Sequence, residues 1–341
     1  MKAFAIDAYK AALRPREMPD PVAGPGEVVV AVAAASVNPL DVKLSEGEFK
    51  WVLPYRMPLV LGHDLAGTVV AVGSRTRRFK VGDEVFGCAG TGRIGSFAER
   101  IAVAETALAA KPASLGMVEA AALPLVSLTA WQVLLDRARL RPGQRVLIHA
   151  GSGGVGTVAI QLARHLGAQV ATTVGPDNLA LAKELGAGIA IDYHHEAFEQ
   201  RLSGYDIVLN TLGPEVLEKS LKVLKAGGKL ISISGPPDPD FARQIGAGWL
   251  VGQLLRLASY KIRSKAKTRG VDYSFLFMQA DGGQLAEIAT LVDAGAIRPV
   301  IDQVFAFDDT PAAMARAASG RARGKVVICV APDLAASGAK R

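Results

Sequence analysis

The chain is poor in cysteine, and its first residues do not resemble a secretion signal. Cys88 and Cys329 are the only cysteines among 341 residues, which excludes a disulfide framework and favours a reducing compartment. The uncharged run 120–135 is too short to cross a bilayer and contains Pro124. Residues 1–7 lack the charged and apolar regions of a secretion signal. We therefore expect a cytoplasmic protein without an integral membrane span.

Acidic residues are missing from one long segment. The formal net charge is +7, from 39 basic and 32 acidic residues. Segment 243–269 contains no Asp or Glu, and its seven basic residues are Arg243, Arg256, Lys261, Arg263, Lys265, Lys267 and Arg269. This segment accounts for the whole excess, so a generally basic surface that binds nucleic acid is not indicated.

Two patterns of hydrophobic residues follow each other along the chain. The first third alternates short Val-rich runs with Gly and Pro, at 27–34, 65–72, 84–88 and 97–103, which predicts a mostly-β domain. From residue 125, strands are predicted at 145–149, 169–174, 189–191, 206–210 and 229–234, with helices such as 178–185 and 215–224 between them. Alternating strands and helices indicate a parallel sheet. A further strand at 273–278 is an edge candidate.

A glycine turn joins the strand 145–149 to an apolar helix. Gly151, Gly153 and Gly156 have the spacing G-x-G-x-x-G. A strand, a tight glycine turn and a helix start let backbone N–H groups hold a dinucleotide pyrophosphate. The sequence therefore predicts cofactor contacts from Ser152, Gly153, Gly154, Val155 and Gly156. The alternative is a merely structural turn.

Several separated motifs resemble the medium-chain dehydrogenase/reductase superfamily. They lie at 36–43, 62–69, 81–86, 128–131, 151–156 and 317–327. Within the superfamily the chain is similar to the quinone oxidoreductase group, in its reticulon-interacting-protein-like branch. The resemblance implies an α/β fold, with a GroES-like mostly-β catalytic domain (1–122 and 280–341) and a doubly wound, parallel-sheet Rossmann domain that binds NADP (123–279). It also implies an active site in the cleft between the domains and a homodimer.

Zinc-binding members of this superfamily use a cysteine, a histidine and a further cysteine or acid. The sequence keeps His63, but the first ligand position falls in 38–41 and Leu125 occupies the later one. There is also no cluster of four cysteines for a structural zinc. We therefore expect no metal, and a hydrogen-bonded role for His63.

The candidate catalytic residues are Asn38, Asp41 and Lys43, which resemble the family's Asn-Pro-x-Asp-x-Lys segment at the nicotinamide. Without a Lewis acid, hydride transfer is expected to an activated acceptor such as a quinone, enone or enal. Asn38 would hold the nicotinamide amide or the substrate oxygen, and Lys43 would donate a hydrogen bond or a proton. In the structural alternative, Asn38 opens a helix, Asp41 interacts with its dipole and Lys43 is solvated.

Two alternative functions stay open. Enoyl-thioester reductases of this family carry a tyrosine shortly after the Asn-Pro-x-Asp-x-Lys segment, and this position is Phe49 here. A phenyl ring cannot donate a proton, which argues against the tyrosine-dependent mechanism. The second alternative is a non-catalytic NADPH-binding sensor or scaffold, because binding motifs can persist where chemistry is lost.

NADPH is the expected cofactor. The strand 169–174 ends without the acid that NAD-specific domains place near the ribose. Thr173, Asn178 and Tyr193 can donate hydrogen bonds to a 2′-phosphate, whereas Asp177 nearby is unfavourable. By resemblance, further cofactor contacts are Asn38, Thr129, Val174, Leu212, Ser234, Phe275, Phe277 and Lys325. Lys325, near a chain end, has a solvated alternative.

The basic segment has two interpretations. Trp249, Leu250, Leu254, Leu257 and Ala258 recur at helical spacing, which predicts that one apolar face of 248–260 packs on the body. The basic residues beyond it then form a solvated connector. Alternatively, they form a positive lip that attracts NADPH or an anionic substrate, or that docks on acidic lipid.

Overall fold

The computed structural model describes residues 1–51, 53–90 and 92–337. They form two compact units, one of 1–128 with the chain from 279 onward, and one of 129–278. Among these residues, no helix has both the length and the apolar character needed to span a membrane.

The strands and helices are numbered in chain order. The strands are β1 Lys2–Ile6, β2 Arg14–Glu17, β3 Glu27–Val37, β4 Leu59–Val60, β5 Asp64–Val72, β6 Glu84–Cys88, β7 Arg100–Ala104, β8 Leu108–Ala110, β9 Arg145–Ile148, β10 Gln169–Val174, β11 Ile189–Asp192, β12 Tyr205–Asn210, β13 Leu224–Ser232, β14 Asp272–Phe275, β15 Ile301–Ala306 and β16 Lys325–Cys329. The helices are α1 Pro39–Ser45, α2 Met117–Ala121, α3 Pro124–Trp131, α4 Gly154–His165, α5 Leu179–Glu184, α6 Phe198–Arg201, α7 Pro214–Ser220, α8 Pro239–Gln244, α9 Trp249–Ala258, α10 Tyr260–Thr268, α11 Gly282–Asp293, α12 Thr310–Ala318 and α13 Pro332–Ser337.

The first unit is built around β3. This strand of Val and Ala is buried along most of its length and pairs with β5, β7 and β16, all antiparallel. The larger sheet has the order β15-β16-β3-β5-β6-β8, and β2-β1-β4 form a second sheet. In the strand register, Ser36 lies opposite Asp64, and Val37 lies opposite Val326. The end of β3 and the starts of β5 and β16 therefore meet, which brings together residues far apart in sequence.

The second unit contains a six-stranded sheet of order β11-β10-β9-β12-β13-β14, in which every pairing is parallel. The chain winds outward from β9 in both directions, so the predicted doubly wound sheet is confirmed. In such sheets, ligands bind at the carboxyl ends of the strands where the winding direction changes. Here that position lies between β9 and β12. The edge strand β14 ends at Phe275, three residues before the predicted end.

The predicted packing of the 248–260 helix is wrong. Trp249, Leu250, Leu254 and Leu257 of α9 are between 66% and 74% exposed, and Ala258 is also exposed. The helix turns Val251, Gly252 and Leu255 inward instead. Both faces of α9 are apolar, and hydrophobic periodicity alone does not tell which face a neighbouring element covers.

Candidate functional site

Asn38 joins β3 to α1. Its backbone is extended (φ −118°, ψ 152°), and Pro39 begins the helix with a suitable fixed φ. Asp41, one turn further, accepts the Asn38 N–H on its Oδ2 at 2.8 Å. The structure therefore places Asn38 and Asp41 at the helix start, with both side chains buried.

A buried carboxylate, Asp64, holds Asn38 in place. Its Oδ2 accepts from Asn38 Nδ2 at 2.9 Å, from Ser36 Oγ at 2.8 Å and from Lys325 Nζ at 3.2 Å. Its Oδ1 accepts the Leu125 backbone N–H at 2.8 Å. Three of these donors bind Oδ2 and one binds Oδ1, so hydrogen bonds hold the carboxylate at both oxygens. No sequence motif predicts a role for Asp64 or Ser36, because only the register of β3 with β5 shows that they meet.

Lys325 is an internal residue, and its solvated alternative is wrong. Its ammonium group donates to Asn38 Oδ1, to the Val37 carbonyl at 3.3 Å and to Asp64, and its side chain is only 5% exposed. The ammonium group has three protons and donates to three acceptors. The Asn38 amide is thereby oriented, since its oxygen faces a pure donor and its nitrogen faces a pure acceptor.

His63 is hydrogen-bonded inside the same unit. Its Nδ1 lies 2.6 Å from Asp41 Oδ1, and both side chains are fully buried. Within the described part of the chain, His63 Nε2 has no hydrogen-bond partner. A buried polar atom without a partner costs about 1–3 kcal/mol. This nitrogen is therefore a candidate contact for a substrate or an internal water.

The chemistry of this region does not suit a zinc ion. The described residues contain no group of three or more His, Cys, Asp or Glu side chains placed to hold a metal. Cys88 lies opposite Asp64 in the sheet register. Burial, followed by the negative charges of Asp64 and Asp41, raises the pKa of its thiol. In the metal-free protein this raised pKa keeps the thiol protonated.

Lys43 lies apart from this buried network. It is two residues beyond Asp41 on α1, and its Nζ is 3.7 Å from Glu48 Oε2 in a partly exposed ion pair. Tyr55 is a further candidate proton donor. Burial and then the charge of Asp41 raise the pKa of Tyr55 to about 12, so the phenol keeps its proton. This tyrosine follows Phe49 in the loop after α1, and no sequence motif points to it.

Steric crowding requires glycine at two positions of the glycine turn in the second unit. A Cβ on Gly156 would lie 2.3 Å from the Ala150 carbonyl oxygen, and one on Gly151 would lie 2.1 Å from Thr172 Oγ1. Gly153 is the N-cap of α4 and has no side chain to cap it. The first N–H groups of a helix have no intrahelical acceptor. Gly154, Val155 and Gly156 therefore present donors at the positive end of the helix, which fits a pyrophosphate.

Buried polar contacts support this turn from inside. His149 Nδ1 lies 3.0 Å from Thr173 Oγ1 and its Nε2 lies 2.9 Å from Ser220 Oγ. Burial lowers the pKa of His149 to about 3, so this histidine is neutral. The Ala150 N–H donates to Thr173 Oγ1 at 3.4 Å, with Ala150 at a left-handed φ of +52°. The Thr173 hydroxyl therefore stabilises the backbone of the glycine turn.

The remaining residues predicted near the 2′-phosphate lie at the ends of neighbouring strands. Val174 is buried at the end of β10, and its carbonyl accepts the Tyr193 N–H at 3.2 Å. Tyr193 follows β11 with 58% of its surface exposed, and its ring packs against His194 at 4.3 Å. Asn178 is half-buried. The side chains of Tyr193 and Asn178 are thus accessible to a ligand. The Val174 side chain is buried, so this residue can offer only its backbone.

The other predicted cofactor residues lie on loops, at the end of β14 and in a helix. Ser234 is exposed and donates to the Thr211 carbonyl at 3.0 Å, and the Leu212 carbonyl accepts from Asn210 Nδ2 at 2.8 Å. The Phe275 N–H donates to Asp238 at 2.9 Å, and the Phe277 carbonyl accepts from Gln244 at 2.6 Å. Thr129 is buried in α3. The backbone groups of Phe275 and Phe277 thus bind side chains of their own unit.

Comparisons with known proteins cover both units. Residues 24–113 match the family described as alcohol dehydrogenase GroES-like domain, and residues 185–328 match the family described as zinc-binding dehydrogenase. The chain is 35% identical to human NAD(P)H oxidoreductase RTN4IP1, mitochondrial, over 90% of this chain and 82% of that protein. It is 33% identical to the chloroplastic NADPH-dependent alkenal/one oxidoreductase of Arabidopsis thaliana, over 90% and 72%. The quinone oxidoreductase of Coxiella burnetii has a similar structure, with a TM-score of 0.85, 30% identity and coverage of 97% and 99%.

Proposed function

Because the chain belongs to the medium-chain dehydrogenase/reductase superfamily, in its quinone oxidoreductase-like group, we propose that it reduces a quinone or an α,β-unsaturated carbonyl with NADPH and without zinc. It is an oxidoreductase that uses a nicotinamide cofactor. The observation that carries the proposal is the buried network of Asp64 and Lys325 that orients the Asn38 amide.

The catalytic role belongs to the first unit. When bound, NADPH supplies the hydride, and the acceptor oxygen gains negative charge that hydrogen-bond donors stabilise. Asn38 Nδ2 carries two protons, and one of them is hydrogen-bonded to Asp64. We propose that the second donates a hydrogen bond to the substrate oxygen or to the nicotinamide amide. Lys43 is partly exposed and can donate a proton to the substrate. Asp41 positions Asn38 and His63 through hydrogen bonds.

The proposal needs no metal, because the residues at the ligand positions serve other purposes. Asn38 takes part in the amide network, and Leu125 contributes a backbone N–H to Asp64. The Asp64 carboxylate already has the Lys325 ammonium group as its counter-charge, together with three neutral donors. A stoichiometric amount of tightly bound zinc in the purified protein would contradict this part of the proposal.

The cofactor-binding role belongs to the second unit, and we propose NADPH over NADH. The accessible Tyr193 and Asn178 are donors for a 2′-phosphate, and β10 ends without an acid. One of the relatives is named for its use of NADPH. The dissociation constants of NADPH and NADH test the preference, and equal or tighter binding of NADH would remove it.

Substrate class is tested by the oxidation of NADPH at saturating cofactor. We expect turnover with small quinones, enones and enals. Turnover only with enoyl thioesters would favour the enoyl-thioester reductase alternative. Tight NADPH binding with no turnover across the panel would favour a sensor or scaffold.

Assembly and location complete the proposal. We propose a homodimer that pairs through β14, which lies at the edge of the sheet with one side unpaired within its own sheet. Sedimentation at micromolar concentration tests it, and a monomer would contradict it. We also propose a cytoplasmic location, which cell fractionation tests. The named relatives are mitochondrial and chloroplastic.

A further inference from the structure

Helix α9 and the start of α10 present an exposed apolar stripe. Its members are Trp249, Leu250, Leu254, Leu257 and Tyr260, each between 66% and 74% exposed. The Ser259 N–H bonds to Leu255 and its carbonyl to Arg263, so helical hydrogen bonding continues across the junction. At roughly 100° per residue, the five side chains fall within about 140° of one face. A contiguous exposed patch of this kind marks an interaction surface.

Positive charge borders the apolar stripe. Arg256 follows Trp249 by seven residues and Arg263 follows Arg256 by seven, which places the two arginines along one edge of the face. Both side chains are exposed, and no ion pair is found for either among the described residues. Lys261 and Lys265 pair with Glu218, and Arg243 pairs with Asp240. Lys267 and Arg269 are exposed further along.

A pocket opens beside the stripe. It has a volume of about 480 Å³, and Trp249, Arg243, Arg256 and Arg263 are among its lining residues. Asp238 and Asp240 also line it, but Asp238 accepts backbone N–H groups and Asp240 binds Arg243. Arg256 and Arg263 are thus left to attract an anionic group.

An anionic lipid surface fits these observations better than a second copy of the chain. A two-fold pairing with the helices antiparallel would place the positive edge of one copy against the same edge of the other, and like charges oppose that contact. A bilayer accepts apolar side chains at its boundary, favours Trp and Tyr there, and attracts Lys and Arg through anionic headgroups. We propose that the apolar stripe, with Arg256 and Arg263 at its edge, docks this protein on a membrane rich in anionic lipid.

Docking is independent of reduction, and flotation of the full chain with lipid vesicles measures it without cofactor. The wild type floats with vesicles of phosphatidylglycerol and phosphatidylcholine, and about tenfold less with phosphatidylcholine alone. The triple substitution L250Q/L254Q/L257Q and the double substitution R256Q/R263Q each lower binding about tenfold or more. Because all five side chains are exposed, both variants keep the wild-type melting temperature and NADPH affinity.

Matched controls change exposed residues elsewhere. Val22→Gln alters an apolar side chain that is 82% exposed, and K183Q/K222Q removes two exposed charges of the same unit. Both retain full vesicle binding. Equal binding to neutral vesicles, or undiminished binding by L250Q/L254Q/L257Q, would overturn the proposal. If the wild type does not bind vesicles and the triple variant no longer dimerises, the apolar stripe is a contact with a second copy. This result would also overturn the proposal.

Discussion

Two buried charges, those of Asp64 and Lys325, orient the candidate catalytic residue Asn38. Asn38 by itself is an ordinary helix N-cap, and its amide is oriented only because a carboxylate and an ammonium group face its two ends. Neither charge has access to solvent, so each depends on the other for its stability in the interior. At this scale, function and stability rest on the same contacts.

Asp64→Asn tests this dependence. The substitution preserves the size of the side chain but leaves the Lys325 ammonium group without its buried counter-charge. We expect a loss of about 3–5 kcal/mol in the free energy of unfolding, measured with urea, and a lower kcat because Asn38 loses its fixed orientation.

Two further variants separate the causes. The double variant D64N/K325M removes both charges and recovers part of the lost stability. The control Asp7→Asn, in an exposed pair with Arg16, changes stability by about 1 kcal/mol or less. A single Asp64→Asn variant with wild-type stability and kcat would contradict the role given to Asp64.

His149 predicts a pH dependence of stability. Its pKa is lowered to about 3 in the folded protein, whereas an unfolded histidine takes up a proton near pH 6.5. The unfolded state therefore binds more protons between these values, and stability falls as pH decreases from about 6.5 toward 3. Between pH 7 and pH 5 this group accounts for ~2 kcal/mol. Urea unfolding at both pH values should show a smaller decrease in His149→Gln than in the exposed control His165→Gln, and equal decreases would refute the prediction.

At the scale of elements, the junction of β9 and α4 combines backbone geometry with binding. The turn brings the Ala150 carbonyl so close to α4 that only glycine fits at position 156. The same approach directs the free N–H groups of the helix start toward a ligand. Sterics and cofactor binding thus require the same residue type.

Gly156→Ala places a Cβ where backbone atoms already lie. We expect the helix start to shift and the NADPH dissociation constant to rise about tenfold or more, since the pyrophosphate loses aligned donors. Isothermal titration measures this change. Gly213→Ala is the matched control, because this N-cap of α7 has φ −68° and no atom within 4 Å of the added Cβ. Equal affinities in the two variants would show that the turn does not hold the cofactor.

At the scale of the whole molecule, the chain consists of two compact units with different proposed roles. The polar network lies in the first unit and the glycine turn in the second. Ligand binding to one unit stabilises that unit by mass action, which makes the division of roles measurable.

NADPH should stabilise the second unit selectively. At a hundredfold excess over its dissociation constant, a ligand adds about 2.7 kcal/mol to the stability of the state that binds it. We expect amide hydrogen exchange to slow in 129–278 more than in β3 and β5, and Gly156→Ala to lose most of this protection. Protection confined to the first unit would reverse the assignment of roles.

The fold class, the doubly wound sheet and the glycine turn are predictable from the sequence, because they depend on local periodicity and on the spacing of small residues. Which side chains meet depends on the tertiary structure. Asp64 and Ser36 join Asn38 through the register of β3 with β5, and Lys325 arrives from the other end of the chain on β16. The tertiary structure also determines that α9 exposes its larger apolar face. Strand register and helix orientation depend on long-range packing, which the order of residues along a single chain does not reveal.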